Sequence, residues 1–202
     1  MIMKFKKLAF LICTILLFTF TSCTIKPTYY LRSAFIDKEL KIDQNAKYTL
    51  IKNNFVGNVN FLSLQINQDF SQYFKNINFE QQFLEFENSG YVFDLDSDQL
   101  KNLKEETTSD FLILIKLITI PNLTQDKTIE IKKISSNTSE RKYSIVLNVY
   151  DLNQQKMIYT NEAASILEKN NYDSFFGYTD QKTQLLKTYQ KVFSHFEKNL
   201  TK

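Results

Sequence analysis

The chain has 202 residues, 25 Lys plus Arg against 22 Asp plus Glu, and only three Gly and two Pro. That length suits one domain, and the scarcity of Gly and Pro argues against repeat-rich and disordered architectures. The charge balance is skewed by one end: Lys4, Lys6 and Lys7 fall in the first 22 residues, which hold no acid. The other 180 residues carry 22 basic and 22 acidic side chains. No excess positive field is left to argue for a nucleic acid or another polyanion as partner.

In chain order, the three lysines come first. Leu8 to Phe20 follows as an apolar run of 13 residues, broken only by Cys13, Thr14 and Thr19. Thr21, Ser22 and Cys23 close it. A positive start, a short apolar stretch and small residues are the layout of a secretory signal, predicted over residues 1–22. A helix that crosses a bilayer needs roughly 20 apolar residues, so permanent spanning is the weaker reading. The end "FTSC", Phe20 to Cys23, resembles the bacterial lipobox, with Phe20 in place of the usual Leu. The resemblance implies cleavage before Cys23, lipid on Cys23, and attachment to a membrane. The alternative is an ordinary cleaved signal that leaves Cys23 as a free thiol. Cys13 lies in the segment expected to be removed, so the mature chain keeps one cysteine and cannot form an internal disulfide or a thiolate metal site. In the lipoprotein family Asp after the lipidated cysteine favours the inner membrane. Thr24 stands there, which implies the outer membrane, facing the periplasm.

Residues 23–46 are polar and mixed and are expected to be the lipidated end and a tether, with a short ordered piece around "LRSAFI". The domain is expected over 47–202. Lys47 to Asn54 alternates as a strand. Val59 to Ile77 carries both a helical stripe (Val59, Leu62, Ile66, Phe70, Tyr73, Ile77) and an alternation (Leu62, Leu64, Ile66); helix is the preferred reading. Phe79 to Gly90 is predicted as a helix ended by glycine, and Tyr91 to Leu95 as a short strand. A helix follows, capped by Asp96 with Gln99 three residues on. Asp110 to Ile120, "DFLILIKLITI", is a strand covered on both faces and stopped by Pro121. After a polar stretch with a short strand at "TIEIKKI", Tyr143 to Ile166 reads as a hairpin turning at "LNQQ". In Asp180 to Leu200, seven apolar residues fall within an arc of about 120°, which marks a helix lying on a sheet.

Helices between strands imply parallel pairs, and the hairpin adds antiparallel ones. The expected fold is therefore α/β (α+β): one domain, with a mixed sheet of about five strands and helices packed on it. The order from Lys47 to Leu200, with its "DFLILI" strand and "VYDLNQQKMIY" hairpin, resembles the amino-terminal domain of the TolB type. It also resembles the lipoproteins that activate penicillin-binding proteins. That resemblance implies a partner-binding envelope domain and not an enzyme.

Four features bear on chemistry. Asp94, Asp96, Asp98 and Glu105 match the first three acidic positions and the twelfth position of a calcium-binding EF-hand loop. Gln99 stands where that loop needs Gly, Lys101 where it needs an apolar residue, and a capped helix explains the same acids. His195, the single histidine, lies away from the apolar arc and reads as a partly exposed surface residue. Gly57, Gly90 and Gly177 are isolated and build no phosphate loop. Tyr172, Phe175, Phe176 and Tyr178 surround Gly177 and could anchor a partner or saccharide, or else fill the core. No catalytic constellation, cofactor motif or metal set emerges. The functional expectation is a non-catalytic, lipid-anchored envelope protein that binds another envelope protein. The alternative is an envelope carrier for a small apolar ligand or lipid; a hydrolase ranks third.

Overall fold

The apolar run Phe111–Ile120 forms an interior strand, with neighbours on both sides, as its lack of polar alternation requires. The computed structural model that shows this describes residues 24–37, 43, 46–53, 55, 59–80, 95–120, 138–170 and 177–200. In chain order the strands are β1 (Thr24–Ile25), β2 (Thr28–Ile36), β3 (Tyr48–Asn53), β4 (Ile77–Glu80), β5 (Phe111–Ile120), β6 (Thr138–Asp151), β7 (Lys156–Asn170) and β8 (Gly177–Tyr178). The helices are α1 (Asn60–Tyr73), α2 (Ser97–Thr107) and α3 (Gln181–Leu200).

Six strands form one mixed sheet in the order β2-β7-β6-β5-β3-β4, and β1 pairs with β8 in a small second sheet. β3 is parallel to both β4 and β5; the β5–β6, β6–β7 and β2–β7 pairs are antiparallel. The result is a single α/β domain with helices packed on a mixed sheet. The β6–β7 hairpin turns at Leu152 to Gln155, at the "LNQQ" expected to turn it.

Alternation along the strands divides the core between the two faces. One face carries Leu50, Ile113, Ile115, Ile145, Leu147, Val149, Tyr159 and Ala163, and packs against α1 and α3. From α1 come Leu62, Ile66 and Phe70; from α3 come Leu185, Tyr189, Val192 and Phe196. Phe70 stacks on Phe196 with ring centroids 5.5 Å apart and meets Phe193 edge-on at 5.3 Å, so the two helices also pack on each other. The other face carries Ile51, Leu112, Leu114 and Tyr150, covered by Leu100 and Leu103 of α2.

Three expectations need correction. Residues 24–36, expected as part of a tether over 23–46, form β1 and β2, and β2 is an edge strand of the main sheet. Among the described residues the sheet therefore holds six strands, with an additional pair, where about five were expected. Phe79, expected in a helix with Gly90 at its end, lies in β4, where it pairs with Leu50. A helix so soon after α1 would leave no parallel strand to cover that edge of β3. The helix reading of 59–77 holds over Asn60–Tyr73. The segment expected as a signal (residues 1–22), Cys23, residues 81–94 and the strand expected at "TIEIKKI" lie outside the described residues.

Candidate functional site

Thr24, which follows Cys23 in sequence, is the first described residue. Thr24 is paired with Gly177 and Ile25 with Tyr178, in parallel. A β-carbon built on Gly177 would sit 3.5 Å from the Thr24 methyl, so the two strands are in close contact. The backbone N–H and the hydroxyl of Thr179 both donate to the Ile25 carbonyl, each at 3.1 Å. The Arg141 guanidinium of β6 donates to the Thr179 carbonyl and, at 2.6 Å, to the Gln184 Oε1 of α3. The residues that follow Cys23 are thus wired through Thr179 and Arg141 into the core of the domain.

Gln184 belongs to a polar group under α3 that an apolar stripe does not announce. Its Nε2 donates to Ser165 Oγ at 3.1 Å and to the Arg141 carbonyl at 3.2 Å. The Thr188 hydroxyl donates to Ser165 Oγ at 2.7 Å. Gln184, Thr188, Ser165 and Asn161 are all fully buried. Buried polar groups need such partners, and here they fix the rotation of α3 on the sheet.

After Pro27 the chain becomes β2, which exposes two large apolar side chains, Leu31 at 37% and Phe35 at 51%. A register shift between Leu31 and Ser33 bulges the strand at Arg32, whose guanidinium reaches Glu162 at 3.1 Å. Bulges and charges of this kind protect an edge from indiscriminate pairing.

Asp96 caps α2: its Oδ1 accepts from the Gln99 N–H at 2.8 Å, and Gln99 Oε1 accepts from the Asp96 N–H at 3.0 Å. Asp98 lies in the first turn of this helix and Glu105 near its end, so the capped helix accounts for these acids. Asp94 lies outside the described residues, and among those described no cluster of three metal-binding side chains occurs. His195 is partly exposed, as expected, and its Nδ1 also lies 2.9 Å from the hydroxyl of the buried Tyr159. Of the aromatic group, Tyr178 is half-buried in β8; Tyr172, Phe175 and Phe176 lie outside the described residues.

Two ionisable groups were missed by sequence reasoning. Lys52, 4% exposed, donates to Asn67 Oδ1 at 2.6 Å, and burial pushes its ammonium below the usual lysine range. Asp110 binds the Lys47 backbone N–H at 3.1 Å and the Lys104 ammonium at 3.1 Å, and these hold its carboxyl below the usual range. A polar residue at a strand end gives no pattern by which its distant partner could be found.

No protein-family model and no curated protein matches the chain. Several solved structures resemble it at low identity. The lipoprotein GNA1162 from Neisseria meningitidis is 11% identical, with 75% of this chain and 99% of that one covered and a TM-score of 0.39. The hypothetical protein CT253 from Chlamydia trachomatis is 7% identical, with 77% and 98% covered and a TM-score of 0.41. The PelC dodecamer from Paraburkholderia phytofirmans is 6% identical, with 74% and 86% covered and a TM-score of 0.35. At these values none of the three bears on what this chain does.

Proposed function

We propose that the chain is a non-catalytic, lipid-anchored protein of the cell envelope whose domain binds another envelope protein. The observation that carries the reading is the "LLFTFTSC" end, Leu16 to Cys23. It joins a short apolar segment, two small residues and the one cysteine that a cleaved chain would keep. Acylation by two or more chains would hold Cys23 stably in a bilayer, where a single chain would not. Thr24 in place of Asp favours the outer membrane, with the domain in the periplasm.

Two features support the partner-binding half. Edge strand β2 presents Leu31 on one face and Phe35 on the other, beside a bulge, an edge suited to selective pairing with an extended segment. The ionisable groups described above are engaged in packing: His195 with Tyr159, Asp110 with Lys47 and Lys104, Lys52 with Asn67.

Membrane fractionation of cells producing the wild type and Cys23→Ala tests the anchor. The wild type is expected to sediment with membranes and to be released by detergent. Cys23→Ala should lose that association. Equal sedimentation of both would rule out an anchor at Cys23.

A further inference from the structure

The proposed anchor fixes more than a compartment, because Thr24 is already part of the fold. We infer that the domain is seated directly on the bilayer by the end that carries the β1–β8 pair, with the β6–β7 turn held away from the membrane. This inference rests on the lipid-anchor reading and adds the orientation.

A tether would let the domain tumble, since each added flexible residue lengthens the reach. Here there is none: Cys23 is one peptide bond from Thr24, a span of about 3.8 Å between α-carbons. Thr24 is in register with Gly177, and the Ile25 carbonyl accepts two hydrogen bonds from Thr179. Lipid on Cys23 would therefore pull on a strand that is joined to the core through Thr179, Arg141 and Gln184.

The same end gathers other chain ends. β2 starts there, with Thr28 opposite Ile166. β6 begins and β7 finishes there, with Thr138 opposite Asn170. β8 leads into the amino terminus of α3, and Lys182 of that first turn lies 5.2 Å from the Phe61 ring at the start of α1. At the opposite end, Asp151 pairs with Lys156 around the turn. From Ile166 to Lys156 is ten residues of β7, about 33 Å along the strand. The lipid surface is the occupant assigned to the near end; β2 runs away from it, with Leu31 and Phe35 exposed beyond the part of the strand where Lys191 of α3 donates to the Tyr29 carbonyl.

The test uses the full chain, processed in cells, purified and reconstituted into vesicles of phosphatidylethanolamine and phosphatidylglycerol. Gln181→Cys and Gln154→Cys, both at exposed positions, each take a fluorophore. A spin label on the lipid headgroup is the quencher, and the mass of the mature amino terminus is read on the same samples. Quenching at least threefold stronger at position 181 than at 154 is expected. A six-residue Gly-Ser insertion between Cys23 and Thr24 should bring the two values together. Equal quenching on an acylated chain would overturn the seat and leave the anchor standing. An unacylated Cys23 would overturn both.

Discussion

The hydroxyl of Tyr159 lies 2.9 Å from Nδ1 of His195, joining the buried middle of β7 to α3. Burial, reinforced by the charge of Lys198, holds the His195 imidazole below its ordinary pKa of about 6.5. The unfolded chain therefore takes up this proton more readily than the folded one. The contribution is full above about pH 6.5 and is lost as pH falls through the lower folded value. Because His195 is the single histidine, the urea midpoint should be higher at pH 8 than at pH 5.5, and His195→Leu should flatten most of that difference. An equally steep difference in His195→Leu would show that another group is responsible.

Asp110 works on the acid side. The Lys47 N–H, then the Lys104 ammonium, stabilise its carboxylate, against a smaller opposing effect of burial. Its folded pKa is lowered, so its contribution is present above the ordinary value of about 3.9 and is lost as pH falls through the folded value. The side chain is partly exposed, so the pair with Lys104 is screened by solvent. Asp110→Asn should cost about 1 kcal/mol at pH 7 and little at pH 2, by denaturant titration at both. A constant cost at both values would mean that charge is not involved.

The box formed by Asp96 and Gln99 sets the start of α2. Asp96→Ala should destabilise the domain by about 1 kcal/mol. Calcium at millimolar concentration should leave the thermal midpoint of the wild type unchanged. A rise in the midpoint with calcium, abolished by Asp96→Ala, would restore the loop reading that the helix displaced.

Much of this architecture was legible because long elements repeat their pattern. α3 and the β6–β7 hairpin carry enough turns or alternations to announce themselves, and "DFLILIKLITI" is too apolar to lie anywhere but inside a sheet. β2 was foreseen only as a short ordered piece around "LRSAFI", for a definable reason. Tyr29 and Leu31 pair with Ser165 and Ala163, but after the bulge it is Ala34 and Ile36 that continue that alternation. The phase shifts at Arg32, so a period of two fails and the stretch reads as irregular. β4, only four residues long, is placed by its parallel pairing with β3, a non-local relation that the local sequence does not contain. The candidate site was legible only as far as Cys23; that Thr24 is locked to Gly177 comes from the fold alone.

Burial under α3 offers a further test. Its most buried side extends to Gln184 and Thr188, while Leu186 and Phe193, on the far side of the apolar arc, are only half-buried. Gln184→Ala removes partners from Arg141 and Ser165 together, and should cost about 1–3 kcal/mol. Lys187→Ala, at an exposed position of the same helix, should change stability by less than about 0.5 kcal/mol. Paired urea titrations would show whether the polar group matters; similar small changes in both would mean that it does not.

Edge strand β2 separates binding from stability. Phe35→Asp, at a half-exposed position, should shift the unfolding midpoint little, within about 0.5 kcal/mol. The same variant should lose the partner that the wild type retains from detergent-solubilised envelope. Retention of the same partner by Phe35→Asp would move the binding surface away from β2.

The most direct test of the anchor is the mass of the mature amino terminus, measured on protein purified from membranes. A lipid anchor at this position gives a chain that begins at Cys23 and carries at least two acyl chains. A plain end cut elsewhere, an unmodified Cys23, or an uncut chain starting at Met1 would contradict it.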